Sequence, residues 1–268
     1  MFVNLFDSHT HSRNSNDGEH SVGYLCEAAV EKGLMGICVT DHYECCQPQQ
    51  RFGVRIRNSV LDTAKARQFV RDGFMLMSGI EIGQATWDLQ EAERILTQFR
   101  FDYVIGSLHS HKGSDNYCFV DFTDLDVEVI LDRYYQELLE LCSWGGFDVL
   151  GHLTYPLRYI TGRDHIPVDM SRYDEIIREI LRTLIQQHRG IEVNTSTLRQ
   201  GLGEPMPSLH YLKMFRELGG EIVTLGSDAH RSADLGAGIP EGMALLQEAG
   251  FDYFAFYKKR EPRMLRII

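Results

Sequence analysis

A repeated alternation of short apolar runs with longer amphipathic segments constrains the fold more than any other feature of the sequence. The alternation occurs seven times, each apolar run being followed by polar residues and then by a stretch with helical spacing. It indicates an α/β fold with a parallel sheet and helices packed outside, because parallel strands need a crossover connection. No linker or low-complexity segment interrupts the pattern, so residues 1–268 are predicted to form a single domain.

The boundaries of the predicted elements follow from where the apolar runs begin and end. We predict strands at 2–6, 36–40, 74–82, 103–108, 147–150, 191–194 and 221–225. We predict helices at 22–32, 59–72, 88–100, 125–144, 172–188, 207–218 and 240–249. Long loops are expected at 43–57, 110–124, 153–168 and 195–206, and residues 251–268 are expected to form a short strand and a tail, with Arg260 in solvent.

Most of the predicted strands end in side chains that bind metal ions. These side chains, together with Asp17 from the first loop, are His9, His11, Asp17, His42, Glu81, His109, His152, Asp228 and His230. The carboxyl ends of the strands of an α/β barrel open on one rim, where active sites are built. Unrelated core or surface histidines would have no reason to fall at the same end of so many strands, so a shared metal site is predicted.

The first of these groups also has a suitable local geometry. Residues two apart in an extended chain point to the same side, so His9 and His11 present their imidazoles together. An HxH pair alone is often two unrelated surface histidines, and repetition along the chain strengthens the metal hypothesis here. Nitrogen and oxygen ligands without a thiolate suit Zn²⁺, Mn²⁺ or Fe²⁺. Nine groups are too many for one ion, so two or three divalent ions are expected, with Glu81 as the bridging carboxylate.

Composition excludes several other classes of protein. The net charge is −11 and the longest basic cluster is Lys258-Lys259-Arg260, so no nucleic-acid partner is expected. The six cysteines have no CxxC spacing, and the N-terminus does not resemble a signal peptide. No apolar run approaches the roughly 20 residues of a membrane span, so no membrane association is expected. These features predict a cytoplasmic protein with reduced thiols.

The strand-end motifs, taken together, resemble the PHP (polymerase and histidinol phosphatase) family of metallohydrolases. The matching segments are Asp7-Ser8-His9-Thr10-His11 with Asp17, Thr40-Asp41-His42, Gly79-Ile80-Glu81, Gly106-Ser107-Leu108-His109, Gly151-His152 and Gly226-Ser227-Asp228-Ala229-His230. The resemblance implies a distorted (β/α)7 TIM-like barrel with a trinuclear metal centre. The chain looks most similar to the branch of the family that hydrolyses L-histidinol phosphate in histidine biosynthesis, an assignment supported by the 151–156 segment and the long loops.

The resemblance also implies how the ligands are divided among the ions. It suggests one ion on His9, His11, Glu81 and Asp228, a second on Glu81, His109 and His152, and a third on Asp17, His42 and His230. Some relatives have histidine where this chain has Asp17, so metal preference at the third position is expected to differ.

The resulting hypothesis is a phosphomonoesterase in which a metal-bridging hydroxide attacks the phosphorus of a small-molecule phosphate monoester. Glu81 and the pair Asp228 and His230 are the expected catalytic groups, and Asp228 or His230, or a water they hold, would protonate the leaving oxygen. The alternatives are a phosphodiesterase or nucleotide phosphatase of the same family, and a non-catalytic metal-binding module. Neither the oligomeric state nor the identity of the ions is predicted.

Candidate substrate-binding residues lie in the loops that follow the strand ends. Arg158 and Arg199 could form forked hydrogen bonds to phosphate, and Lys112 and Tyr117 belong to the loop after His109. Glu44, Asp115, Asn194 and Asp164 are candidates for the ammonium and imidazole groups of histidinol phosphate.

Overall fold

The computed structural model describes residues 2–46 and 52–268. The strands are β1 (Phe6–Thr10), β2 (Gly36–Val39), β3 (His42–Glu44), β4 (Met75–Gly83), β5 (Tyr103–Ser107), β6 (Val149–Leu150), β7 (Gly190–Asn194), β8 (Val223–Gly226), β9 (Tyr253–Lys258) and β10 (Glu261–Arg266). The helices are α1 (Val22–Glu31), α2 (Phe52–Ala66), α3 (Leu89–Gln98), α4 (Val127–Trp144), α5 (Leu157–Ile160), α6 (Asp174–Gln186), α7 (Leu209–Glu217) and α8 (Ile239–Glu248).

The strands form one curved sheet in the order β1-β2-β4-β5-β6-β7-β8-β9-β10, with β3 pairing on β4. All pairs from β1 to β9 are parallel, and β9 and β10 form an antiparallel hairpin. Within the described residues no ladder closes the sheet, but the chain just after β8 meets β1. The Asp228 N–H donates to the His9 carbonyl at 2.9 Å, and the His11 N–H donates to the Ala229 carbonyl at 2.8 Å. The predicted parallel α/β architecture is therefore observed as an incompletely closed barrel.

The helices pack on the outside of the sheet through apolar faces with helical spacing. In α1 the buried residues are Val22, Leu25, Cys26 and Ala29, and the Ser21 side chain caps the helix by accepting from the Tyr24 N–H. The helix is followed by Gly33 at φ 77°, a left-handed conformation that glycine adopts without a steric penalty. The agreement with the predicted helix 22–32 is close because both end signals are local in sequence.

The first strand begins four residues later than predicted and contains His9 within it. The expectation of 2–6 followed the apolar run, but the polar residues 7–10 are fully buried and bonded. The Thr10 hydroxyl donates to the Cys38 carbonyl at 2.8 Å, and Asp7 accepts from the Ser227 N–H at 2.9 Å. A strand buried on both faces can therefore be polar when most of its polar groups have partners; in β1 the exceptions among the described atoms are Ser8 Oγ and His9 Nε2.

Two other regions differ from the sequence expectation. The predicted loop 43–57 contains β3 and the first residues of α2, while its residues 47–51 lie outside the described part of the chain. Residues 251–268 form the β9–β10 hairpin, and Arg260 is not in free solvent. Its Nε lies 2.6 Å from Oδ2 of the buried Asp148, whose charge requires a cationic partner. In the described ranges, 2–46 and 52–268, no helix is long and apolar enough to cross a membrane.

Candidate metal centre

The carboxylate of Glu81, in β4, is the central group of the candidate metal centre. Its Oε2 lies 3.3 Å from His9 Nε2, 3.6 Å from His11 Nε2 and 2.9 Å from His42 Nδ1. Its Oε1 lies 3.1 Å from His109 Nε2 and 2.8 Å from His152 Nε2. Five imidazoles from four strand ends thus surround one buried carboxylate, His9 and His11 both coming from β1 and the residue after it.

Three sets of side chains present ligand atoms within 4.8 Å of one another. The sets are His9, His11 and Asp228; His42, Glu81 and His109; and His11, His42 and His230. Asp17 completes the outer edge, with Oδ2 at 3.3 Å from His230 Nε2 and 3.6 Å from His42 Nε2. The structure therefore brings all nine predicted side chains to the same end of the barrel.

The donor atoms at this centre are suited to divalent cations. Among the described residues, buried atoms without a hydrogen-bond partner include Nε2 of His9 and His11, Nδ1 of His42 and Oε2 of Glu81. Buried polar atoms normally have a partner, and unpaired nitrogen and oxygen donors that converge on one region are what a cation would satisfy. The side chains thus fit the metal ions that the sequence predicts.

In four of the candidate histidine ligands the other ring nitrogen is held by a neighbouring group. His9 Nδ1 lies 2.6 Å from Glu192 Oε1, and His109 Nδ1 lies 2.8 Å from Glu44 Oε1. His11 Nδ1 lies 3.2 Å from Ser15 Oγ, and His230 Nδ1 lies 3.0 Å from the Asp228 carbonyl. Such outer contacts fix the orientation of a metal-binding imidazole and direct its other nitrogen toward the ion.

Several of these supporting residues are absent from the sequence prediction. Glu192 is fully buried in the apolar strand β7, and a charged residue inside such a strand is the signal that could have found it. Asp41 directly precedes His42 and accepts hydrogen bonds from the Ser12 N–H at 2.6 Å and the Ser15 hydroxyl at 2.8 Å. It therefore shapes the loop after His11. Glu44, considered for substrate binding, contacts His109 and also lines the cavity.

The charges at the centre keep its carboxylates ionised. Burial raises the pKa of Glu81, but His9, His42 and His109 outweigh it and hold the pKa well below its usual range. Burial also raises the pKa of Asp228, but His9 and Arg158 reverse this, and the pKa is again well below its usual range. Burial lowers the pKa of His11. Ionised carboxylates and the neutral His11 are protonation states that bind metals, whereas His9, His42 and His109, whose pKa values burial lowers but the surrounding carboxylates raise overall, would release a proton when an ion binds.

A cavity of about 710 Å³ opens over the centre. Half of the predicted substrate-binding residues line this cavity, and the other half do not. Arg158, Arg199, Asp115 and Glu44 line it, but four other candidates lie elsewhere. Tyr117 is fully buried and shares a 2.8 Å hydrogen bond with His111, so it belongs to the core beneath its loop. Lys112 is exposed, and its N–H donates to Glu137.

Asn194 and Asp164, the other two candidates that do not line the cavity, form hydrogen bonds to neighbouring protein groups instead. Asn194 lies behind the centre, where its Nδ2 donates to Glu192 Oε2 at 3.1 Å. Asp164 pairs with Arg163 and accepts from the Phe122 N–H at 3.1 Å, so it fixes the loop 110–124. Positions of side chains in long loops depend on tertiary contacts that the local sequence does not encode.

The two candidate arginines are held in different ways. Arg158 is buried, with Nη2 at 2.8 Å from Asp228 Oδ2 and 2.7 Å from Ser196 Oγ. Arg199 donates from Nη2 to the Asp228 carbonyl at 3.0 Å and lies partly exposed. Nε of Arg158 and Nη1 of Arg199 are buried without a partner among the described residues. Arg231 also lines the cavity and was missed in the sequence.

A mixed imidazole and carboxylate cluster on the carboxyl rim of a parallel barrel defines the class of metal-dependent hydrolases. The PHP domain model matches residues 7–196, and the chain belongs to this family. The family prediction made from the motifs is therefore confirmed.

Curated relatives match over almost the whole length of the chain. A protein of Thermotoga maritima named probable histidinol-phosphatase is 28% identical over 256 residues, covering 96% of this chain and 97% of the relative. The histidinol-phosphatase of Lactococcus lactis subsp. lactis is 27% identical, covering 94% of this chain and 93% of that protein.

Solved structures give the same fold. The crystal structure of histidinol phosphate phosphatase from Lactococcus lactis subsp. lactis, complexed with zinc, L-histidinol and phosphate, matches with a TM-score of 0.74 at 23% identity. The match covers 97% of this chain and 98% of that one. A putative histidinol phosphatase from Listeria monocytogenes matches with a TM-score of 0.69 at 17% identity, covering 88% and 99% of the two chains. The predicted distorted TIM-like barrel is confirmed.

Proposed function

We propose that this protein hydrolyses L-histidinol phosphate to L-histidinol and inorganic phosphate, using two to three divalent ions of zinc, manganese or iron. The observation that carries the proposal is the convergence of six imidazoles and three carboxylates at the floor of one cavity. The names of the curated relatives supply the organic half of the substrate. Sequence motifs and geometry account for the phosphate chemistry independently of those names.

In this proposal the ligands are divided as the family resemblance suggests. The inner ion is held by His9, His11, Glu81 and Asp228, the second by Glu81, His109 and His152, and the outer ion by Asp17, His42 and His230. When bound, such ions supply an activated water as nucleophile and neutralise the oxygens of the phosphoryl group.

The cavity wall provides hydrogen-bond donors for the phosphate. Arg158 Nε and Arg199 Nη1 are buried N–H groups without a hydrogen-bond partner within residues 2–46 and 52–268, and both side chains line the cavity. Guanidinium groups match phosphate geometry, so these two arginines are the candidate phosphate contacts. Asp228 and Ser196 hold the Arg158 guanidinium in place, so its orientation is fixed before substrate binds.

Two side chains are candidates for donating a proton to the leaving oxygen. Asp228 and His230 both line the cavity. Because His9 and Arg158 overcome the effect of burial and keep Asp228 ionised, and His230 is a ligand of the outer ion in this proposal, the acid role falls to a water that these two side chains hold.

A substrate panel tests the proposal directly. Metal-replete protein is incubated with histidinol phosphate, a nucleoside monophosphate and an oligonucleotide, and phosphate or nucleotide release is measured. We expect phosphate release from histidinol phosphate to have the highest kcat/KM. Preference for the oligonucleotide would favour a phosphodiesterase. No turnover, with no bound transition metal and no rescue by manganese or zinc, would contradict the metal-dependent mechanism.

A further inference from the structure

Glu192 occupies an unusual position behind the inner part of the candidate metal centre. It lies in β7, is fully buried, and sends Oε1 to within 2.6 Å of His9 Nδ1. Its Oε2 accepts from the His152 N–H at 3.0 Å and from Asn194 Nδ2 at 3.1 Å. The amide orientation of Asn194 is fixed because its Oδ1 accepts from the Ser196 N–H at 3.1 Å.

The neighbouring strand leaves room for this carboxylate. A Cβ atom at Gly226, in β8, would lie 2.3 Å from Glu192 Oε1 and 2.5 Å from His9 Cβ. Real Cβ contacts are not this short, so any larger residue at position 226 would have to move the buried Glu192–His9 pair. The absence of a side chain at Gly226 thus leaves room for the buried Glu192–His9 pair.

The contacts of Glu192 determine where the proton on His9 lies. The two N–H donors at Oε2 stabilise the ionised carboxylate, and a carboxyl group is a stronger acid than an imidazolium, so the proton in the 2.6 Å contact lies on His9 and not on Glu192. Glu192 is therefore an acceptor toward His9, and Nδ1 of His9 carries the hydrogen. His9 Nε2, which lies 3.3 Å from Glu81 and 3.7 Å from Asp228, is then the nitrogen available to an ion.

We propose that Glu192 is a positioning residue that selects the metal-binding tautomer of His9 and thereby sets the affinity of the inner ion. The proposal rests on the metal centre of the proposed function, but it adds a residue to which neither the motifs nor the relatives' names assign a role. Glu44 contacts His109 in a similar way, but it lines the cavity and is partly exposed. Glu192 is the fully buried member of this pair of carboxylates.

The isosteric substitution Glu192→Gln gives a specific expectation. The amide oxygen of the new side chain would face the two donors, the His152 N–H and Asn194 Nδ2, since an NH₂ group there would oppose both. Its NH₂ group would then face His9 Nδ1 and donate to it. His9 would carry its hydrogen on Nε2, the nitrogen that must bind the ion.

The first test measures metal affinity in the full-length protein. Apo protein is titrated with zinc or manganese, with Glu221→Gln as the control because it removes one exposed carboxylate from the chain just before β8. Loss of a partner that supports a metal ligand typically lowers affinity about 10- to 100-fold, so Glu192→Gln should show this loss and the control should not. Excess metal should restore phosphatase turnover. Equal affinity in wild type and Glu192→Gln would overturn the proposal.

The second test observes the tautomer itself and does not depend on activity. Histidine-selective ¹⁵N labelling of the apo protein, recorded at a pH where the imidazole is neutral and with His9 assigned by its loss in His9→Gln, should show hydrogen on Nδ1 in the wild type. Glu192→Gln should move it to Nε2. If that variant does not fold, the wild-type spectrum alone decides, because an Nε2–H tautomer there refutes the proposal. A wild type that binds no metal would instead refute the proposed function.

Discussion

The inner and outer parts of the candidate metal centre differ in burial. His9 and His11 are fully buried and Asp228 is 5% exposed, whereas the side chains of His230 and Asp17 are 31% and 50% exposed. The inner ligands come from β1 and the segment after β8, which two backbone hydrogen bonds join. The outer carboxylate comes from the loop after β1.

The difference shows how the fold makes a buried charged cluster possible. A charge removed from water needs a partner, and the inner carboxylate Asp228 has Arg158 at 2.8 Å. Asp17 remains half in water and needs no such partner. We therefore expect the inner part to be rigid and to hold its ion tightly, and the outer part to exchange its ion readily.

The largest effect is expected at Glu81, which joins the two parts. Glu81→Gln removes the negative charge that five imidazoles face, so kcat should fall by more than about 1,000-fold, beyond the loss typical of removing one electrostatic group. Steady-state kinetics and elemental analysis of the purified variant check this. The exposed substitution Glu221→Gln serves as the control. Full activity in folded Glu81→Gln would contradict the central role of this carboxylate.

The second-largest effect is expected on the free energy of unfolding, and it should differ between variants of Arg158 and Arg199. Arg158→Met leaves Asp228 buried without its cation, which should lower the free energy of unfolding of the apo protein by about 3–5 kcal/mol. Arg199→Met removes a more exposed group and should cost less than about 1 kcal/mol while raising KM. Denaturant titration measures both. Equal destabilisation by the two variants would mean that the inner and outer charges do not differ as the geometry indicates.

The candidate metal ligands, and their convergence, could be predicted from the sequence because they lie at strand ends, and strand ends are set by local patterns. His42, Glu81 and His109 follow or end apolar runs that periodicity identifies. The structure refines the first strand, where the run of polar residues hides an extended segment that includes His9. Such a strand is stable only through partners distant in sequence, which no local pattern reveals.

The supporting residues could be predicted less well for the same reason. Glu192 is 183 residues from His9 in sequence, so only the fold shows that the two side chains meet. Tyr117 and Asp164 are ordinary polar loop residues by sequence, and tertiary contacts alone place them away from the cavity. A charged residue within an apolar strand, as at Glu192, is the one signal that could have been used.

A smaller effect is expected at the outer edge. Asp17→Asn removes the carboxylate that faces His42 and His230, so the variant should lose one ion during dialysis against a weak chelator while the others stay bound. Activity should fall by about 10-fold, at the low end of losses when a metal site is weakened. Elemental analysis gives the stoichiometry. Loss of all ions together would show that the centre binds its ions as one cooperative unit.

The smallest effect is expected in the loop 110–124, outside the metal ligands. Arg163 donates to the Cys118 carbonyl at 3.0 Å and pairs with Asp164, which accepts from the Phe122 N–H. Arg163→Gln should loosen this cavity-lining loop and raise KM about 1.4- to five-fold, the equivalent of the roughly 0.2–1 kcal/mol typical of exposed pairs. The metal content should stay unchanged. Arg172→Gln is the matched control, since its ion pair with Glu128 is also at the surface.

The same pair gives a pH dependence whose sign is fixed. The hydrogen bond from Arg163 lowers the pKa of Asp164 from 3.8 to about 2 in the folded protein. A carboxyl with a lowered folded-state pKa stabilises the protein above its unfolded value, and this contribution disappears as the pH falls from 3.8 to about 2. In wild type, acid should therefore cost more stability over this interval than in Arg163→Gln. Identical acid-unfolding curves for the two proteins would mean that the pair does not hold the loop, and the outer wall of the cavity would then owe its shape to other contacts.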